Sequence, residues 1–155
     1  MNKLLYGSIR PEGWLRRQLE IQARGLSGHL DKIWPDVRDS AWIGGDREGW
    51  ERVPYWLDGF IPLAHLLQDQ DLIARADRYV QCIVDRQQAD GWICPCNADA
   101  CAAYDLWAVL LIGKVLALMP TRPAVRGMGS VYSIRTPFSP STVMRLPLTR
   151  NVSYS

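Results

Sequence analysis

Residues 54–84, PYWLDGFIPLAHLLQDQDLIARADRYVQCIV, place two different apolar patterns side by side. In the first half, Trp56, Leu57, Phe60, Ile61, Leu63, Ala64, Leu66 and Leu67 cover nearly the whole circumference of a helix. A helix that is apolar all round is buried on all sides. It is predicted to run from about Pro54 or Tyr55 to Leu67. Pro62 in its interior removes one backbone donor and crowds the carbonyl one turn back, so a kink is expected near Asp58–Gly59. That kink would turn the Tyr55–Asp58 end toward the preceding segment. In the second half, Asp69 and Asp71 are good N-caps. Leu72, Ile73, Ala76, Tyr79, Val80, Ile83 and Val84 then recur on one face, with Arg75, Asp77, Arg78, Gln81 and Asp85 on the other. This predicts an amphipathic helix over about 72–88, with Gly91 just past its end.

The same alternation extends outward in both directions. Upstream, Pro11 suits a first helical turn, Glu12 suits the N-terminal dipole, and Trp14, Leu15, Leu19 and Gln22 share a face opposite Arg16, Arg17 and Glu20. Gly25 is a suitable stop. Downstream, residues 102–119 are again apolar nearly all round, with Asp105 and Lys114 the only charges and Pro120 at the end. The order is amphipathic, apolar, amphipathic, apolar. Two concentric layers of helices produce that order, the inner ones buried and the outer ones half wet. Tyr55-Trp56-Leu57-Asp58 and Tyr104-Asp105-Leu106-Trp107, 49 residues apart, each open an apolar helix, as stacked helical hairpins would. A plain four-helix bundle fits the same pattern. Either way the chain is all-α. Its 155 residues, 48% of them apolar, suffice for one domain with a core. A closed ring of six hairpins needs about twelve helices of ordinary length, and this chain holds about four.

Between the first two helices lies SGHLDKIWPDVRDSAWIGGDREGWERVPYWLDG, residues 27–59, a long aromatic-rich loop. It carries Trp34, Trp42, Trp50 and Trp56 among many carboxylates, with Gly44, Gly45 and Gly49 breaking any regular helix. Loops of this length inside a domain are usually functional or disordered, and the aromatic content argues against disorder. Indole and phenol faces cover the apolar faces of sugar rings, while carboxylates and Arg bind hydroxyls. Glycoside hydrolysis also needs paired carboxyl groups. The candidate sugar-binding residues are His29, Trp42, Glu48, Trp50, Glu51, Arg52, Tyr55, Trp56 and Asp58. Trp50, Glu51, Tyr55 and Asp58 are expected to converge at the start of the kinked helix, with Tyr55 and Asp58 three apart on one face. His29 lies beside Asp31, whereas His65 sits in an apolar helix as a core residue. The competing reading of the loop is structural: a Trp-rich cap on a helical core.

The run GWLRRQLEIQARGLSGHLDKIWPDVRDSAWIGGDREGWERVPYWLDGFIPLAHLLQD, continued by DGWICPC and YDLWAVLLIGKVL, resembles the N-terminal part of the β-L-arabinofuranosidase-like glycoside hydrolases, in the six-hairpin glycosidase superfamily. The resemblance covers roughly residues 10–118, and WIGGDREGWERVPYWLDG is its most specific string. It implies helical hairpins forming part of an (α/α)6 toroid, and hydrolysis of terminal arabinofuranose-type sugars. Characterised members of that family use a Cys nucleophile on a zinc ion, supplied by a later part of the domain. That site has no counterpart in this chain, so no catalytic residue, metal ligand or resident cofactor is assigned, and zinc belongs to the full-length family domain. Three functions follow: part of a glycoside hydrolase contributing to the sugar pocket, a non-catalytic carbohydrate-binding or structural helical module, or an inactive truncated product.

Cys94, Cys96 and Cys101 form C-x-C-x4-C before the last helix. Grouped thiolates bind zinc, but the C-x2-C spacing and a nearby His are missing, which favours unligated thiols. From residue 120 the composition changes: five Pro, six Ser and five Arg, with no Lys, acid or Trp. Residues 120–155 are therefore read as an irregular or disordered tail, and 1–119 as the partial toroid domain. The net charge of +2, without a basic stripe, disfavours nucleic acid. The absence of a long uncharged apolar run disfavours a membrane span, and residues 1–9 are too weakly apolar for a secretory leader, so a cytoplasmic location is expected. Carbohydrate is the expected partner, together with self-association through apolar helices that lack neighbours.

Overall fold

The computed structural model describes residues 9–88, 92–96, 100 and 103–119. The described residues are all-α, with no strand among them. The helices are α1 (Gly13–Arg24), α2 (Leu30–Ile33), α3 (Pro35–Arg38), α4 (Arg52–Leu67), α5 (Gln70–Val84) and α6 (Leu106–Leu118). A 3-10 turn spans Ala41–Ile43. The expected tail beyond residue 119 lies outside the described residues.

α4 is the hub. It contacts α1, α3, α5 and α6, as a helix apolar on all sides must. Trp56 stacks on Phe60 at 4.5 Å and meets Tyr79 of α5 edge-on at 4.8 Å. Val53, Leu57, Ile61 and Ala64 join Ile73, Ala76, Val80 and Ile83 of α5 and Ala108, Ile112 and Val115 of α6 in one core. α4 continues through Pro62 as one element of 16 residues. Trp56 and Leu57, at the end expected to turn toward the loop, are buried in the core.

α4 and α5 form a helical hairpin closed by two residues. Gln68 takes a left-handed backbone conformation, φ +57°. Asp69 Oδ1 then accepts from the amides of Asp71 and Leu72, the cap expected from sequence. The α5 stripe is buried as predicted from Leu72 to Ile83. Arg75, expected to face solvent, instead reaches back to residues 27–31. Its guanidinium bonds Asp31 (2.7 Å) and the Gly28 carbonyl (2.8 Å), and lies over the Phe60 ring. The Asp31 side chain is almost wholly buried in this pair.

The loop is more regular than its Pro and Gly content suggested. Pro35 starts α3 rather than breaking a helix, because the first helical position needs no N–H. α4 begins at Arg52, so the irregular part shrinks to residues 39–51. Ser40 is fully buried and donates to the Glu48 carbonyl, pinning that part into a closed loop. The chain there turns so tightly that a Cβ on Gly45 would lie 1.9 Å from the Asp39 carbonyl oxygen.

Two amphipathicity expectations fail. α1 has no buried residue, and Trp14, Leu15 and Ile21 are exposed; among the described elements its main contact is α4. α6 starts at Leu106, capped by Asp105, four residues later than expected. It is buried on one face only: Leu106, Trp107 and Leu110 stand in solvent, the last 68% exposed. The described helices do not close a ring.

Candidate functional site

Four of the sequence-selected residues gather along the seam between α4 and α6. Tyr55 and Asp58, one turn apart, both face α6. The Tyr55 ring lies 6.4 Å from the Trp107 ring, tilted by 51°. Asp58 accepts from Lys114 Nζ at 2.8 Å. At the N-terminal end of α4, Glu51 Oε2 accepts from the Trp107 indole at 3.2 Å, and the Trp50 indole donates to Asp105 Oδ2 at 2.9 Å. Asp105 Oδ1 meanwhile caps α6 through the Trp107 amide. The indole N–H groups of Trp50 and Trp107 thus hold those ring edges against carboxylates, and all three aromatic residues remain partly in solvent: Trp50 is 43%, Tyr55 49% and Trp107 50% exposed. Glu51 Oε1 and Asp58 Oδ1 make no hydrogen bond among the described residues.

The loop carrying Trp50 is fixed from below. Trp42 Nε1 donates to the Trp50 carbonyl at 2.7 Å, and the Tyr104 hydroxyl donates to the Gly49 carbonyl. Tyr104 also meets Trp42 edge-on at 6.4 Å. Burial, together with the nearby cysteines and Glu48, pushes the Tyr104 phenol above its ordinary pKa, so it stays a donor. Glu48 Oε1 accepts from the Glu51 amide, which orients the first residue of the seam. Glu48 Oε2 is buried and has no hydrogen-bond partner among the described residues.

The remaining candidates go elsewhere. Trp42 and Trp56 are core residues, not sugar platforms: Trp42 lies under the loop, and the Trp56 indole donates to the Ser27 carbonyl at 2.9 Å from within the helix packing. Arg52 points away from the seam, paired with Asp36 and stacked over the Trp34 ring at 5.0 Å. His29 is at the other end of α4. It bonds the Gly25 carbonyl through Nδ1 and lines a hollow of about 360 Å³ shared with Arg24, Lys32, Leu67 and Asp71. Glu48 acts by positioning Glu51 instead of facing the seam itself.

Asp105, Trp107 and Lys114 complete the seam and were not selected from sequence as site residues. The sequence pointer to Asp105 and Trp107 is the echo that sets Tyr104–Trp107 against Tyr55–Asp58. It places the two helix starts in equivalent positions, and the structure brings them side by side.

Zinc requires at least three protein ligands. Cys94 and Cys96 adjoin one another, but no group of three His, Cys, Asp or Glu side chains forms among the described residues. Cys101 lies outside them. The described donors do not fit a catalytic zinc, and no step is assigned to one. No described helix is long and apolar enough to cross a membrane.

Compared with protein-family models, with curated proteins and with solved structures, the chain matches none.

Proposed function

We propose that the chain supplies one wall of a sugar-binding pocket in a glycoside hydrolase of the arabinofuranosidase-like type, with Trp50, Tyr55 and Trp107 as stacking surfaces. The observation that carries this reading is the cluster of three half-exposed aromatic residues, in which Asp105 fixes the Trp50 edge and Glu51 the Trp107 edge. Rings held at the edge and open at the face are pre-organised for the apolar side of a pyranose or furanose. The spare oxygens of Glu51 and Asp58 would then accept from sugar hydroxyls. The sequence resemblance supplies the sugar class and the toroid in which α4 and α6 would be inner helices.

A non-catalytic role for these particular acids is favoured over acid–base chemistry. Both oxygens of Asp105 are already engaged, and Asp58 is tied to Lys114. Catalytic groups of such an enzyme would come from outside the seam. The exposed faces of α1 and α6 fit helices awaiting neighbours, supplied either by further hairpins or by a second copy.

The test is a titration of arabinofuranosides into the parent chain and into Tyr55→Ala and Trp107→Ala, with unfolding midpoints measured alongside. Saturable binding that weakens by about 1 kcal/mol or more per ring lost, without a matching loss of stability, is the expected outcome. A folded parent that binds no arabinofuranoside would overturn the proposal.

A further inference from the structure

The thiols of Cys94 and Cys96 lie 2.8 Å apart, sulfur to sulfur, closer than any packing requirement explains. Pro95 sits between them, and a bend at Pro95–Cys96 turns both side chains to the same side. Cys94 is buried and Cys96 is partly open to solvent. Gln88 holds the pair in place: its Nε2 donates to Cys94 Sγ at 3.5 Å and to the Cys96 carbonyl at 2.9 Å. Thiolates bridged by a metal stand farther apart than this, because each must reach about 2.3 Å to the ion at a wide angle. A disulfide needs only a further closing of the gap, to about 2.05 Å.

We propose that Cys94 and Cys96 are a redox-active dithiol that closes to an intramolecular disulfide on reaction with a small-molecule disulfide of the glutathione class. The more open Cys96 thiolate attacks one sulfur of the reagent, forming a mixed disulfide and releasing one thiol. Cys94, deprotonated in turn, attacks the Cys96 sulfur, and the second half of the reagent leaves as a thiol. The protein loses two electrons and two protons, and the reagent gains them as two thiols.

The pair is placed to act on the seam. Pro95 rests against the loop before Trp50: a Cβ on Gly49 would lie 3.0 Å from Pro95 Cγ, a tight contact. Gly49 is also the residue whose carbonyl Tyr104 holds. The dithiol thus adjoins the loop that carries Trp50.

The experiment equilibrates the folded chain, and variants Cys94→Ser and Cys96→Ser, in a series of reduced and oxidised glutathione mixtures. Acid quenching and alkylation follow, and each cysteine-containing peptide is weighed. Far-UV circular dichroism confirms that each variant is helical. The expected result is joint loss of alkylation at Cys94 and Cys96 with one midpoint, a peptide lighter by two hydrogens, and Cys82 still alkylated. Cys94→Ser should stop at the glutathione mixed disulfide on Cys96, because its resolving thiol is gone. Independent alkylation of Cys94 and Cys96 across the whole series, or a bridge that uses Cys82 or Cys101 instead, would overturn the proposal. Sugar binding need not be measured for this outcome, so it stands or falls apart from the function proposed above.

Discussion

Trp42 and Trp50 are eight residues apart in one loop, joined by a single hydrogen bond, and have opposite roles. The Trp42 indole is sealed beneath the loop, and the Trp50 ring is turned outward. Trp42→Ala should therefore cost about 3–5 kcal/mol of stability. Trp50→Ala should cost about 1 kcal/mol, the value of its bond to Asp105. Denaturant unfolding of the two variants checks the contrast. Arg75 is the other residue whose loss is expected to be severe. Removing its guanidinium leaves Asp31 charged and buried, so Arg75→Met should cost about 3–5 kcal/mol. The double variant Asp31→Leu/Arg75→Met should recover most of that loss, which a double-mutant cycle reads directly. Tyr79 adds a pH dependence. Burial raises its pKa from about 10 to about 12, and its hydroxyl donates to the Val37 carbonyl. The unfolded chain loses this proton first as pH rises. The contribution of Tyr79 is thus complete below pH about 10 and declines as pH climbs toward about 12. Urea midpoints should fall across that window, and Tyr79→Phe should flatten the fall while lowering the plateau.

At the level of elements, α5 was legible in the sequence because its cap and its stripe are local properties. Asp69 binds amides two and three residues on, and one apolar face is buried, against α4 and the 3-10 turn. α1 was not legible in the same way. Trp14 and Leu15 share a helical face with Leu19, but a stripe says only that a surface is available, and Trp14 and Leu15 stay exposed. α6 differs for the opposite reason: a helix apolar all round predicts burial all round, whereas among the described elements its main contact is α4. Leu106, Trp107 and Leu110 therefore form a solvent-facing apolar strip. Leu110→Gln should reduce hydrophobic-dye binding and any self-association, with a stability change within about 0.5 kcal/mol. Sedimentation velocity and dye fluorescence together check this. An unchanged dye signal would place the apolar surface elsewhere.

For the whole molecule, the sequence pattern was sufficient for an all-α chain built around residues 54–67, and for half of the seam. Tyr55 and Asp58 are legible because helical spacing fixes their common face, and Trp50 and Glu51 because they directly precede it. Trp42 and Trp56 misled, since an indole in a sequence does not declare whether its face meets solvent or core. Trp107 and Lys114 could not be placed, because their contacts with Glu51 and Asp58 each span 56 residues and depend on how α6 docks. On the function proposed above, this docking leaves Trp50 and Trp107 to act as sugar platforms while Trp42 and Trp56 stay structural. The most direct measurement follows the indole N–H resonances of ¹⁵N-labelled protein during addition of an arabinofuranoside. Saturable shifts at Trp50 and Trp107, with Trp42 and Trp56 unmoved, are expected. Saturation confined to other tryptophans, or no saturable shift in a folded chain, would contradict it.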